Sequence, residues 1–306
     1  MTDTAPIRRL TIADIARLHA EGRRFATITA YDYPTAAIVD EAGIPLILVG
    51  DSLGMVMLGY DSTVRVSMDE MLHHTRAVVR GTRRALVVAD MPFLSYGISI
   101  EDSVAHAGRF LSEGGAQAVK VEGGVRSART IEAIVRGGIP VMGHIGLTPQ
   151  AVHQLGGYRV QGKSGASARS LVADALAVQE AGAFAIVLEL VPAELAKAIT
   201  ERLAIPTVGI GAGPWCSAEI QVITDVVGLT RDHTPRHARR FGDLGVALAE
   251  AVAAYRDAVT EGRFPTSEES FSMDPAVLDR VLGRSELDRA EGERDHGPPI
   301  PLDRDL

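Results

Sequence analysis

Cysteine is almost missing from this sequence: Cys216 is the single one in 306 residues. One thiol cannot form an intrachain disulfide or a multi-cysteine metal site, so a disulfide framework is excluded and a reducing cytoplasm fits. With no base evident beside it, Cys216 reads as a structural residue rather than a nucleophile. Long apolar runs are missing too. The longest, Ile44 to Gly50, falls far short of the roughly 20 residues that cross a bilayer, so no membrane span is expected. Met1 to Leu10 carries Asp3, Pro6, Arg8 and Arg9 with no apolar stretch, which is not the pattern of a signal peptide. Positive charge is in deficit, 31 Lys and Arg against 39 Asp and Glu for a net −8, and that argues against a nucleic-acid surface. The basic cluster Arg236 to Arg240 is flanked by Asp232 and Asp243 and reads as a solvated helix start.

What is present is alternation. Short β-branched apolar runs are followed by amphipathic stretches, and the cycle repeats. Eight strand candidates emerge: 25–30, 46–49, 86–89, 118–121, 141–144, 185–188, 207–210 and 221–224. Most lack polar alternation, as parallel strands covered on both faces should. Helices are expected over 33–41, 67–81, 100–113, 127–136, 166–180 and 192–202. Ser67 with Glu70 forms a capping box, and Pro192 sits in a first turn. The phrases Glu41-Ala-Gly-Ile, Glu113-Gly-Gly-Ala and Glu180-Ala-Gly-Ala repeat one rhythm of helix end, glycine turn and buried strand. That rhythm predicts an α/β fold, a (β/α)8 TIM barrel, and 306 residues suit one. A doubly wound open sheet is the rival, weakened because no Gly-x-Gly-x-x-Gly follows the first strand. A helix over 12–21 would close the barrel bottom or serve a subunit contact, and another runs from about 243 to 260. The catalytic domain is placed at 1–272. Residues 273–306 turn charged and proline-containing, a tail expected to be largely disordered with at most a loose helix over 275–287.

Barrel active sites gather at the C-terminal ends of strands. The polar residues there are Asp51 and Ser52, Asp90, Lys120 and Glu122, His144, Glu189, and the run Gly209-Ile-Gly211-Ala-Gly213. Each has a plain structural reading. Asp51 or Asp90 can cap a turn, Glu189 can pair with a helix cation, His144 can be a core histidine, and the glycines can form a tight turn or cradle an anion. Lys120 and Glu122 say more, because residues two apart on a strand share a face, and two ionised groups inside a barrel are costly unless paired or bound to a ligand. Taken together, the carboxylates Asp51, Asp90 and Glu122 can converge on a hard cation such as Mg²⁺. Lys120 then offers a fixed positive charge, and Glu189 is a candidate general base.

Several motifs give the chain a resemblance. They are Thr29-Ala-Tyr-Asp-Tyr33, Val49-Gly-Asp-Ser-Leu-Gly-Met55, Gly59-Tyr-Asp-Ser-Thr63, His73-His-Thr-Arg-Ala77 and Val88-Ala-Asp-Met-Pro-Phe93. Val119-Lys-Val-Glu-Gly-Gly124, Gly143-His-Ile-Gly-Leu-Thr-Pro149, Leu155-Gly-Gly-Tyr158 and Pro206-Thr-Val-Gly-Ile-Gly-Ala-Gly213 follow. From about Leu10 to Phe271 the chain resembles the ketopantoate hydroxymethyltransferase family, with the motifs in family order. The resemblance implies a (β/α)8 barrel, Mg²⁺ and a homodecamer of stacked pentamers. It implies hydroxymethyl transfer from 5,10-methylenetetrahydrofolate to 3-methyl-2-oxobutanoate through a Mg²⁺-stabilised enolate, the first committed step toward pantothenate. It also implies metal ligation by Asp51 and Asp90 with Glu122 at the ion, 2-oxo acid binding by Ser52 and Lys120, and proton abstraction by Glu189 in Val187-Leu-Glu-Leu-Val-Pro192. His144 and Tyr31 are further substrate contacts.

The chain departs from the family pattern at Ser217-Ala-Glu219, where an Asp-Gly-Gln triplet is usual, and at Val64-Arg-Val-Ser67; its tail is also longer. The first departure puts local loop packing, and with it folate or subunit contacts, in question. Two rival functions stay open. One is a Mg²⁺-dependent 2-oxo-acid lyase of the phosphoenolpyruvate mutase and isocitrate lyase superfamily, which relies on a reactive cysteine in a motif this sequence lacks. The other is a non-catalytic barrel scaffold, for which a costly buried charge set would have no use.

Overall fold

The computed structural model of the chain describes residues 8–230 and 235–283. Eight parallel strands close into a barrel in sequence order. They are β1 (Phe25–Thr29), β2 (Leu46–Val49), β3 (Leu86–Asp90), β4 (Ala118–Glu122), β5 (Val141–Gly146), β6 (Ala185–Glu189), β7 (Thr207–Ile210) and β8 (Ala218–Gln221). Closure comes from β8 pairing with β1, Phe25 opposite Ala218 and Ile28 opposite Gln221.

Period-2 geometry sorts the strand residues into two cores. Leu46, Leu48, Leu86, Val88, Ala118, Met142, Ala185, Val187, Val208, Ala218 and Ile220 fill the barrel interior. Their alternating neighbours, such as Ile47, Val49, Val87, Val119, Val121, Ile186 and Leu188, pack outward against the helices. Both faces are therefore apolar, which is why the strands read as continuous hydrophobic runs. Helix Ile12–Ala20 plugs the bottom: Ile15 is fully buried in the interior cluster, with Leu10, Ile12 and Leu18 packed against it.

Local chemistry sets the helix ends. Ser67 and Glu70 form the expected capping box on helix Met68–Gly81, with Ser67 N–H donating to Glu70 Oε2 at 2.7 Å. Asp40, at the end of helix Tyr33–Glu41, accepts the backbone N–H groups of Arg83, Arg84 and Ala85 at 2.6–3.1 Å. Those bonds fix the entry into β3, whose far end carries Asp90. Helix Ala193–Thr200 begins one residue after Pro192, which occupies the cap position rather than the first turn.

The eighth strand differs from the expectation. The apolar run 221–224 is not the strand; β8 is Ala218–Gln221, and Ile223–Val226 is a short helix whose first N–H donates to Thr29 Oγ1 at 3.0 Å. Ala218 and Ile220 face inward while Glu219 and Gln221 are only partly buried, so β8 has the polar alternation the other strands lack. Arg236 to Arg240 is likewise not a helix start: these residues lie in turn and irregular structure, and the next helix opens at Leu244.

The chain divides into two compact units, 1–245 and 246–306. All eight barrel strands lie in the first unit. Helix Leu244–Thr260 has no buried residue, and neither does helix Pro275–Leu282, a regular helix where a loose one is expected. Residues 284–306 of the expected tail lie outside the described residues. Among the described residues no helix is long and apolar enough to cross a membrane.

Candidate active site

The C-terminal strand ends bring the expected polar residues into one buried network. Asp51, Asp90, Lys120, Glu122 and His144 are each no more than 5% exposed. Lys120 and Glu122 share the inward face of β4, and Val119 and Val121 point to the outer core. Parallel pairing places Asp90 beside Lys120, Glu122 beside His144 and Gly146 beside Glu189. Lys120 Nζ lies 3.2 Å from Asp90 Oδ1, 3.9 Å from Glu122 Oε1 and 3.0 Å from His144 Nδ1. His144 Nδ1 also lies 3.2 Å from Glu122 Oε1, and its Nε2 faces Glu189 Oε2 at 3.2 Å. His144 thus bridges the network, Nδ1 between Lys120 and Glu122 and Nε2 toward Glu189. The Glu189 side chain is 17% exposed, the most open of the set.

The carboxylates do not meet at one point. Asp51 N–H donates to Asp90 Oδ2 at 3.0 Å, while Glu122 is drawn toward Lys120 and His144. Among the described residues no three carboxylate, histidine or cysteine side chains converge on a common cation position. Three carboxylates share this space with one ammonium. Burial, then Asp90, then Glu122 push the Asp51 carboxyl well above its ordinary range. Burial also raises Asp90, with Lys120 and the Asp51 N–H opposing it. Burial would raise Glu122 as well, but His144, Lys120 and the Gln150 N–H bring it below its ordinary range. Burial and Lys120 pull His144 down, yet Glu122 and Glu189 lift it to about 8. Burial pulls Lys120 down too, and Asp90, Glu122 and Asp51 more than offset it. The network is therefore short of positive charge.

Tyr31 and Ser52 stand together on the β1–β2 side, Tyr31 Oη and Ser52 Oγ at 2.8 Å. Sequence reasoning missed two residues. Gln150, in the turn after β5, donates from Nε2 to Asp51 Oδ2 at 2.8 Å, and Tyr96, in the loop after β3, donates to Gln150 Oε1 at 2.7 Å. The signal for Gln150 is its position directly after Gly143-His-Ile-Gly-Leu-Thr-Pro149. Tyr96 lies in an aperiodic loop and carries no comparable signal. A cavity of about 410 Å³ lies beside the network rather than over it, lined by Gly123, Arg126, Ile145, Thr148, Gln154 and Asp174 among others.

The sequence profile of the ketopantoate hydroxymethyltransferase family matches residues 9–267. The chain belongs to that family. It is 62% identical over 275 residues to the 3-methyl-2-oxobutanoate hydroxymethyltransferase of Chloroflexus aurantiacus, covering 90% of this chain and 97% of the relative. The enzyme of the same name from Dehalococcoides mccartyi is 56% identical over 273 residues, covering 89% and 98%. Among solved structures, phosphonopyruvate hydrolase in complex with oxalate and Mg²⁺ superposes with a TM-score of 0.53 at 16% identity, over 93% of this chain and 99% of that one. The 2,3-dimethylmalate lyase of the phosphoenolpyruvate mutase/isocitrate lyase superfamily gives 0.51 at 19%, over 93% and 98%. Those two likenesses speak to the barrel alone.

Within the ketopantoate hydroxymethyltransferase family pattern, the Ser217-Ala-Glu219 departure falls at the start of β8 rather than in a loop. Ser217 Oγ pairs with His19 Nδ1 at 3.0 Å and accepts Thr207 N–H at 3.3 Å, and Ala218 fills the interior. These contacts lie at the N-terminal end of the barrel, opposite the candidate site. The glycine run after β7 is a packing device: a Cβ at Gly211 would meet Leu190 at 2.6 Å, and one at Gly213 would meet Ala193 at 2.4 Å. Cys216 is buried in the outer core, and burial pushes its thiol up, so it holds its proton.

Proposed function

We propose that this enzyme transfers a hydroxymethyl group from 5,10-methylenetetrahydrofolate to 3-methyl-2-oxobutanoate, giving 2-dehydropantoate, through an enolate formed at the β2–β6 strand ends. The observation that carries the reading is the His144–Glu189 contact beside a buried set of three carboxylates and one ammonium. It places a candidate base next to a site short of positive charge, in a chain of this family.

The residues fit Mg²⁺. Asp90 Oδ1 and Glu122 Oε1 are buried and have only the shared Lys120 ammonium and the His144 ring beside them, so their negative charge is under-compensated, and all-oxygen donors suit a hard cation. Asp51 and Asp90 would hold the ion and Glu122 would stand near it, the two-carboxylate arrangement that leaves Mg²⁺ its waters and substrate oxygens. When bound, Mg²⁺ supplies Lewis-acid polarisation of the 2-oxo acid. Glu189 takes the C3 proton, with His144 orienting its carboxylate. Lys120 places fixed positive charge where the enolate oxygen develops. Ser52 and Tyr31 hold the substrate carboxylate end. The C3 carbon then bonds to the folate-borne methylene carbon as the first of that carbon's two C–N bonds breaks; water displaces the second nitrogen and supplies the hydroxyl, and the proton held by Glu189 and one from water end on the two folate nitrogens. A buried, protonated Cys216 removes the support that a cysteine-dependent lyase would need.

The test is formation of 2-dehydropantoate from 3-methyl-2-oxobutanoate, with folate and Mg²⁺ each omitted in turn. Product that requires both is expected; product without the folate donor, or none from folded Mg²⁺-loaded protein, sinks the reading.

The charge imbalance also predicts how stability depends on pH. Asp51 and His144 both have folded-state affinities for protons above their ordinary values. The His144 contribution is thus complete below about pH 6.5, its unfolded value, and is lost as pH rises through 8, whereas the Asp51 contribution is complete only below the ordinary carboxylate range and declines from there upward. Glu122, held low, titrates below this window. Metal-free protein should lose on the order of 2 kcal/mol between pH 6.5 and 8.5. Saturating Mg²⁺, which binds the ionised carboxylates, should flatten that loss. Chemical denaturation at both pH values, with chelator or Mg²⁺, measures it. Metal-free stability that rises across the window contradicts the prediction.

A further inference from the structure

Gln150 reaches the site from the turn after β5, and its side chain is committed at both ends. Nε2 donates to Asp51 Oδ2 at 2.8 Å and to Met91 O at 2.9 Å, and Oε1 accepts from Tyr96 Oη at 2.7 Å. Its backbone N–H donates to Glu122 Oε2 at 3.2 Å. Tyr96 Oη in turn accepts the Glu122 N–H at 3.2 Å. Tyr96 Oη accepts the Glu122 N–H and donates its own proton to Gln150 Oε1, which turns the Gln150 NH₂ toward Asp51. With Asp51 ionised, as metal binding requires, this is the amide orientation in which every donor meets an acceptor. The bonds form a closed circuit from Glu122 through Tyr96 and Gln150 to Asp51, with the Gln150 N–H returning to Glu122.

We infer that Gln150 and Tyr96 are positioning residues that set which oxygens Asp51 and Glu122 turn toward the cation. This rests on the Mg²⁺ reading of the site given above. One oxygen of each carboxylate is occupied by an N–H donor: Asp51 Oδ2 and Glu122 Oε2 by Gln150, and Asp90 Oδ2 by Asp51 itself. The opposite oxygens are buried and turned to the other side, Asp90 Oδ1 toward Lys120 Nζ and Glu122 Oε1 toward His144 Nδ1, each at 3.2 Å. Gln150 is 6% exposed, so water does not replace it cheaply. Burial holds the Tyr96 hydroxyl well above its ordinary range, which keeps it a donor. Groups that orient metal ligands in this way typically contribute about ten- to a hundredfold in metal affinity.

The test is calorimetric titration of Mg²⁺ into metal-free, full-length protein without substrate, for wild type, Gln150→Ala, Tyr96→Phe and the double variant, with thermal unfolding to verify folding. Gln150→Ala should weaken Mg²⁺ binding about ten- to a hundredfold. Tyr96→Phe, which keeps the ring, should weaken it about fivefold, the worth of one hydrogen bond. Because Tyr96 acts through Gln150, the double variant should bind no more weakly than Gln150→Ala alone. Single variants that bind within twofold of wild type overturn the inference, as do two effects that multiply, or a wild type that binds no Mg²⁺. If Gln150→Ala does not fold, wild-type affinity in Tyr96→Phe overturns it alone. The transferase assay run beside it separates the two ideas. Weakened binding in the variants without any transfer by wild type supports the positioning roles and removes the transferase reading. Unweakened binding with active wild type removes the positioning roles only.

Discussion

Glu189→Gln is expected to abolish exchange of the C3 proton of 3-methyl-2-oxobutanoate while Mg²⁺ and the 2-oxo acid still bind. The substitution is isosteric, and it replaces the carboxyl of the most exposed side chain in the set, the one nearest the barrel mouth. Asp90 and Glu122 both lie within 4 Å of Lys120, and Asp51 accepts from Gln150, so each of these carboxylates has other work. The Glu189 carboxylate pairs with the His144 imidazole at 3.2 Å. A positioned base is worth about 10²–10⁴ in rate, so exchange should fall by that factor. Transfer should fall with it, because the carbon nucleophile no longer forms. Loss of exchange by proton NMR in D₂O, with substrate affinity within a few-fold of wild type, is the expected pair of results. Normal exchange in the variant rejects Glu189 as the base. Lost exchange with lost substrate binding reassigns it to the binding pocket.

The barrel was legible because both sides of each strand are dry. β2, and β3 up to Asp90, alternate between interior and outer core without a polar break, and the glycine turns after Glu41, Glu113 and Glu180 punctuate the units. β8 was misread for the opposite reason. It closes the barrel against β1 with Glu219 and Gln221 on its partly buried face, so period-2 polarity hid it, and the apolar Val222-Ile223 that follows looked more like a strand. At the site, the charged residues stood out because ionised groups at the end of an apolar run are conspicuous in one dimension. Gln150 and Tyr96 were invisible on that criterion: both are neutral, both lie in loops, and their significance is a circuit of hydrogen bonds between residues 26 to 99 positions apart. Charge can be read locally, whereas orientation is a property of the fold.

Asp90→Asn should reduce Mg²⁺ affinity by about a hundredfold or more, beyond what loss of an orienting group costs. Asp90 has two neighbours that both demand an acceptor. Its Oδ2 takes the Asp51 N–H at 3.0 Å, and its Oδ1 faces Lys120 Nζ at 3.2 Å. An asparagine presents one oxygen and one NH₂, so whichever way it turns, a donor faces a donor. The variant therefore loses the ligand charge and also disturbs either the Asp51 backbone or the Lys120 ammonium. A second readout separates charge from geometry. Removing Asp90 takes away the larger of the two carboxylate charges that push Asp51 upward, so the metal-free variant should lose less stability than wild type as pH rises. Mg²⁺ titration and the two-pH denaturation series measure these effects on the same protein. Unchanged Mg²⁺ affinity counts against Asp90 as a ligand. Weakened affinity with an unchanged pH slope would mean that Asp90 holds the ion but does not set the charge balance that makes the site attract one.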